Sequence, residues 1–151
     1  MTSQALQCDR DGAEITRGDA ECREKIQAML KELSLPPGLL PVEDISELGL
    51  NRSTGFFWVT QKRKREHAFK KIKRQVSYAA EVTALVDNRR IRRITGVKAK
   101  ELLFWFSIAE IYIDDPSSER ITFKTGLGLS KSFPVSAFEL EQETNPDPPA
   151  E

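Results

Sequence analysis

The sequence predicts an α+β domain that is mainly β, with an N-terminal amphipathic helix followed by an antiparallel sheet. Two observations carry this. Apolar residues recur at helical spacing only between Ile26 and Leu33, and from Asp44 onward the period changes to two. Turn-forming clusters of Gly, Pro, Asn, Asp and Ser then divide the chain into strand-sized pieces. A length of 151 residues suits one domain, placed here at 19–140.

The elements follow in order. Residues 1–18 show no apolar period and are expected to form a flexible leader. Asp19 is the expected N-cap, with Glu21 and Glu24 in the first turn, where carboxylates suit the helix dipole. Ile26, Met29, Leu30 and Leu33 share one face, and Pro36-Pro37-Gly38 stops the helix. Strands over 45–50 and 56–60 flank the hairpin loop 51–55. The segment 61–66, with its Lys62-Arg63-Lys64-Arg65 string, is expected to be a connector. Val76, Tyr78, Ala80, Val82, Ala84 and Val86 then alternate as one face of a long strand. Asp87-Asn88 turns into a basic strand over 89–95.

The segment 102–113 is apolar on both faces. Phe104, Phe106, Ile108 and Tyr112 line one, and Leu103, Trp105, Ala109, Ile111 and Ile113 line the other. A buried helix is the rival assignment, but the aromatic and β-branched content favours a strand covered on both sides. Such a strand fits a sheet curled around an apolar cavity with the helix outside, without requiring it. Ile121 and Phe123 mark another strand, and a bent, glycine-interrupted strand follows over 127–138. Residues 141–151, rich in Pro and Glu, are expected to be disordered.

Charge is unevenly distributed. The net is −4 over residues 1–61, +11 over 62–100 and −7 over 101–151. The basic candidates for an anionic partner are Lys62, Arg63, Lys64, Arg65, Lys70, Lys71, Lys73, Arg74, Arg89, Arg90, Arg92 and Arg93. The plainer reading is a set of solvated turns and edge strands that discourage aggregation. Lipid headgroups rank above nucleic acid as the partner, because only Phe69 and Tyr78 interrupt residues 62–100 as possible stacking platforms. The apolar ligand-binding candidates are Phe104, Trp105, Phe106, Ile108, Tyr112 and Phe123.

Signals of catalysis are missing from the sequence. The single histidine, His67, reads as a solvated residue of the basic connector. Gly128-Leu129-Ser130 lacks the second glycine of a nucleophile elbow. One histidine and two cysteines, Cys8 and Cys22, supply no spaced metal-ligand set and no disulfide framework. No catalytic residue, cofactor or metal is therefore expected. The polar start and the lack of a long apolar run point to a cytoplasmic protein, with peripheral membrane contact allowed and a monomer favoured.

Four motifs resemble a known family. Gly38-Leu39-Leu40-Pro41, Asn51-Arg52-Ser53-Thr54-Gly55 followed by Trp58, 95–102 (TGVKAKEL) and 132–138 (SFPVSAF) are similar to the plant family called domain of unknown function 538. The likeness runs from about Gly18 to Phe138, and over 97–113 it is strongest to the trichome branch, Smaller with Variable Branches. The resemblance implies a sheet curled into a partly open barrel with an N-terminal helix, and a likeness to bactericidal/permeability-increasing lipid-binding modules. It also implies roles in trichome development and stress response, and a chlorophyll-hydrolysing activity. Together these readings favour a non-enzymatic plant binding protein for a lipid or other amphipathic ligand. A hydrolase acting on chlorophyll or related esters is the first alternative, and a protein-interaction module the second.

Overall fold

The computed structural model describes residues 10–140. A helix, α1 (Asp19–Glu32), is followed by a sheet whose strands all pair antiparallel. In chain order these are β1 (Glu14–Thr16), which precedes the helix, β2 (Ile45–Leu50), β3 (Phe56–Gln61), β4 (Arg65–Phe69) and β5 (Arg74–Asp87). They continue as β6 (Arg90–Glu101), β7 (Phe104–Tyr112), β8 (Arg120–Thr125) and β9 (Ser130–Pro134). The order across the sheet is β1-β2-β3-β5-β6-β7-β8-β9, with β4 paired to β5 off this path. The sheet begins inside the expected leader, since Ile15 of β1 registers with Gly49. The expected disordered tail and the first nine residues lie outside the described residues.

Helix α1 buries Cys22, Ile26, Met29 and Leu30, one stripe of its surface. Its N-cap is Gly18 at φ 98°, not Asp19. That left-handed backbone suits a residue without Cβ. Asp19, one position later, accepts a hydrogen bond from the Ile45 N–H at 3.0 Å and pairs with Arg23 at 2.9 Å. The carboxylate therefore fastens the helix to β2 instead of capping it.

The helix lies on the inner face of the sheet, whereas the curled-sheet reading allows it outside. Register places Leu48 beside Val59, and Leu50 beside Phe57. A groove between α1 and this hairpin is lined by Met29, Leu48, Leu50 and Phe57. Val82, Ile91, Val97, Ile108, Ile111 and Ile121 join the same apolar cluster. The helix thus packs on the inner face of the curled sheet and fills part of its interior. On the outer face, Gly49 lets the Trp58 ring lie across it, since a Cβ there would come within 2.2 Å of the indole.

β4 was hidden in the sequence by its charge. Its inward positions carry Arg65 and His67 before Phe69, so no apolar alternation announces it. Both β3 and β4 pair with the same side of β5, β3 at Glu81–Leu85 and β4 at Arg74–Tyr78. The break between them is filled by buried Gln61. Its amide donates to the Tyr78 and Ala79 carbonyls at 3.0 Å each and accepts from the Glu43 N–H at 3.2 Å. β5 and β6 fall out of register at the same place. Such bulges bend a strand, and here Ala80, expected to face inward, is exposed.

β7 departs further from expectation. Its second half is buried at Ile108 and Ile111, but Phe104 is 66% and Trp105 37% exposed. The strand is therefore covered on one face, and only toward its end. A register shift between Ile108 and Glu110 moves Ile111 onto the inner face and turns Tyr112 outward, under the Arg90 guanidinium at 4.5 Å. After β9 a 3-10 turn, Val135–Phe138, replaces the expected longer strand. Phe138 is fully buried against Phe69 of β4 and Phe123 of β8, with ring centroids at 4.9 and 5.2 Å. Its carbonyl accepts from the Gly38 N–H at 2.7 Å. Side chains and this turn bridge β4 and β9, which share no strand pairing, so the barrel is partly open.

Candidate ligand-binding site

Antiparallel order brings three turns to one end of the barrel: 70–73 between β4 and β5, 102–103 between β6 and β7, and 126–129 between β8 and β9. Between them the interior holds an apolar cavity of about 210 Å³. Val76, Ala99, Phe106, Ile108, Phe123 and Phe133 supply its walls. Arg74, Glu101 and Lys131 stand at the rim. Glu101 meets Arg74 at 3.1 Å and Lys131 at 2.9 Å, and the Arg74 guanidinium lies 5.7 Å over the Phe133 ring. The Lys131 hydrogen bond, helped by the charges of Arg74 and Lys131, holds the Glu101 carboxyl below its ordinary pKa against the opposing effect of burial.

Of the six apolar residues singled out in the sequence, Phe106, Ile108 and Phe123 line this cavity. Phe104 and Trp105 lie beside its mouth on the 102–103 hairpin, and Tyr112 sits on the outer face near the other end. Ile72, Val76, Ala99, Leu129 and Phe133 were missed. For Leu129 a signal was present, a leucine in a turn where Gly, Asn and Asp normally stand; the others carry none.

The basic residues do not gather. Lys70, Lys71, Lys73 and Arg74 surround the cavity end, while Arg89, Arg90, Arg92 and Arg93 lie at the far end of β5, a strand of 14 residues. At about 3.3 Å per residue the strand between them has a contour of at most ~45 Å, shortened by its bulge. Lys62, Arg63, Lys64 and Arg65 occupy the middle. Several are engaged: Arg65 with Glu43 at 3.3 Å, Arg90 with Glu110 and with Asp114 at 3.5 Å.

A second cavity, about 370 Å³, lies between α1, the 37–43 connector, β4 and the final 3-10 turn. It is mixed in polarity, with Arg23, Glu43, His67 and Glu139 among its walls. His67 sits on β4, not in a connector, with its ring 4.5 Å from Phe69. No serine, threonine or cysteine joins it among the described side chains that line this cavity. Cys22 is buried, its S–H donating to the Thr16 carbonyl at 3.3 Å. Burial, then Asp19, Glu21 and Glu47, push its thiol up, which suits a packing role rather than a nucleophile. Among the described residues no group of three or more His, Cys, Asp or Glu could hold a metal, and no helix is long and apolar enough to cross a membrane.

An open antiparallel barrel, filled at one end by a helix and hollow and apolar at the other, is the class that fold and site define. The chain belongs to the family described as Protein of unknown function, DUF538, which matches residues 26–139. Comparison with curated proteins and with solved structures returns no match.

Proposed function

We propose that this chain is a non-enzymatic binding protein that takes the apolar part of an amphipathic molecule into the cavity between β5 and β9. The carrying observation is the pairing of an apolar interior with a charged rim. A carboxylate or phosphate head at the mouth meets Arg74 and Lys131, where Glu101 now accepts their hydrogen bonds. The volume of about 210 Å³ is below the ~300–1,000 Å³ of sites that enclose a whole drug-sized ligand. The cavity therefore takes one chain or ring edge, each buried methylene contributing about 0.8 kcal/mol. On the likeness of residues 97–113, the setting of this binding is plant development, in the trichome branch, or stress response.

A dansyl-labelled fatty acid tests the reading. The full chain is expected to bind it saturably with a blue shift in emission. Ala99→Phe, which fills the cavity, is expected to lower affinity at least tenfold. Equal binding by Ala99→Phe, or no saturable binding by the parent chain, overturns the proposal. Ester turnover by the purified chain would overturn its non-enzymatic part and favour the hydrolase alternative.

A further inference from the structure

Most exposed large apolar side chains of the described residues crowd the cavity end. Leu102 and Leu103 are 85% and 83% exposed, Phe104 66%, Leu127 77% and Leu129 63%. They tip two neighbouring hairpins, which are tied together where the Gly126 N–H donates to the Ser107 carbonyl at 3.0 Å. Scattered exposed leucines need no explanation, but a cluster on adjacent projecting turns does. The backbone sharpens the point. Leu102 adopts φ 58°, a left-handed conformation in which Asn or Gly is the ordinary hairpin residue. Solvent exposure and backbone geometry both argue against leucine there, and leucine is present.

Charge surrounds these tips. The adjoining turn carries Lys70, Lys71 and Lys73; among the described residues none of the three has an ion-pair partner, and the Lys71 ammonium donates to the Ser136 carbonyl at 3.3 Å. Lys100 and Lys131 flank the tips on β6 and β9. Among the described residues the acid at this end is Glu101, already held by Arg74 and Lys131. Trp105 faces outward just above the tips, half-exposed, with the Lys100 ammonium 5.8 Å over its ring. An apolar apex, a cationic collar and an aromatic residue at the boundary match the three layers of a bilayer surface.

We infer that this end of the barrel docks on a bilayer that carries anionic headgroups. Leu102, Leu103, Leu127 and Leu129 enter the acyl region, and the lysine collar meets the headgroups. Each lysine close to an anionic surface strengthens binding about fivefold. A second copy of this chain is a poorer occupant, because a two-fold contact through this end would press two lysine collars together. The docked orientation turns the cavity mouth toward the lipids. That consequence rests on the binding role proposed above, whereas docking itself does not.

Flotation of the full chain tests the inference, with phosphatidylcholine vesicles and with vesicles that also contain phosphatidylserine, at low and high salt. Binding is expected only to the anionic vesicles and should weaken with salt. Leu102→Ser/Leu103→Ser and Leu127→Ser/Leu129→Ser should each reduce partitioning at least tenfold with an unchanged thermal melt. Lys70→Glu/Lys73→Glu should do the same. A blue shift in tryptophan emission should accompany binding and disappear in Trp105→Phe. Absence of vesicle binding, equal binding to neutral vesicles, or binding indifferent to the leucine changes overturns the inference. So does a concentration-dependent dimer that the leucine changes abolish. The two proposals fail separately: Leu102→Ser/Leu103→Ser, which touches no cavity-lining residue, should keep the dansyl fatty acid in solution, and Ala99→Phe should keep the vesicles.

Discussion

Replacing Gln61 tests whether the β3–β4 break is held as described. Gln61 is 3% exposed, and its side chain satisfies three backbone groups: the Tyr78 and Ala79 carbonyls and the Glu43 N–H. Gln61→Leu keeps the volume and removes all three partners. A buried polar group left unsatisfied costs about 1–3 kcal/mol. The Tyr78 carbonyl is deeply buried and carries the full cost, while the half-buried Ala79 and exposed Glu43 regain part of theirs from water. The expected loss is therefore about 2–4 kcal/mol, a fall in Tm of roughly 8–16 °C for a domain of this size. Urea unfolding followed by tryptophan fluorescence measures it. Gln61→Glu supplies a second arm. Its ionised carboxylate has no proton for the two carbonyls, whereas the protonated acid has one, so the folded pKa rises above the unfolded value near 4.3. The stabilising contribution of that proton is then fully present below the unfolded pKa and is lost as pH rises through the folded one. The glutamate variant should approach the parent chain in acid and fall away toward neutrality. A Gln61→Leu loss under about 0.5 kcal/mol, or a glutamate deficit independent of pH, would refute the account.

Two further outcomes follow from the packing and the rim. Phe138→Ala removes a fully buried ring that joins β4 to β8, and should cost about 3–5 kcal/mol in urea unfolding; hydrogen exchange should rise more in β8 and β9 than in β5 and β6. Glu101 has a lowered folded pKa, caused first by the Lys131 hydrogen bond, so it contributes stability above the unfolded carboxyl pKa and loses it as pH falls through the folded one. Because the group is half-exposed, the difference between the parent chain and Glu101→Gln should stay under about 1 kcal/mol at neutral pH and vanish in acid.

What was legible in the sequence is whatever one face of one element encodes. The α1 stripe, the β2–β3 hairpin and the alternation of Ile121 and Phe123 depend on local periods, and the structure follows them. The features that were not legible depend on bulges and on the other side of the sheet. No local pattern announces that β5 changes partners at Gln61, because a side-chain amide, not a strand bond, fills the break. Nor does one announce the shift near Ala109 that sends Tyr112 outward. The apolar first half of β7 looked like core because periodicity counts apolar residues without knowing whether anything covers them. Three of the eight apolar lining residues, Phe106, Ile108 and Phe123, were found on β7 and β8. The rest comes from β5, β6, β9 and the adjoining turns, which the order of the sheet, not nearness in the chain, brings together.

The charge profile along the chain takes on a different meaning once the strands are ordered. Residues 62–100 carry a net of +11, yet β5 and β6 run the length of the barrel and send those charges to opposite ends. At the end away from the cavity, Arg89, Arg90, Arg92 and Arg93 share their surroundings with Asp87, Asp114, Asp115 and Glu119 of the neighbouring turns. Arg90 pairs there with Glu110 and Asp114, and Arg89 donates to the Asp114 carbonyl at 3.0 Å. Among the described residues the lysine turn at the cavity end faces no such supply of acids, since Glu101 is engaged by Arg74 and Lys131. Among the described residues the charge is thus polarised along the barrel axis, with lysines that have no ion-pair partner beside exposed leucines. Long-range attraction to an anionic surface acts on such an asymmetry and not on net charge, within a Debye length of about 8–10 Å at moderate salt. On the inferred docking, such a field is expected to orient the cavity end toward that surface before any leucine touches it.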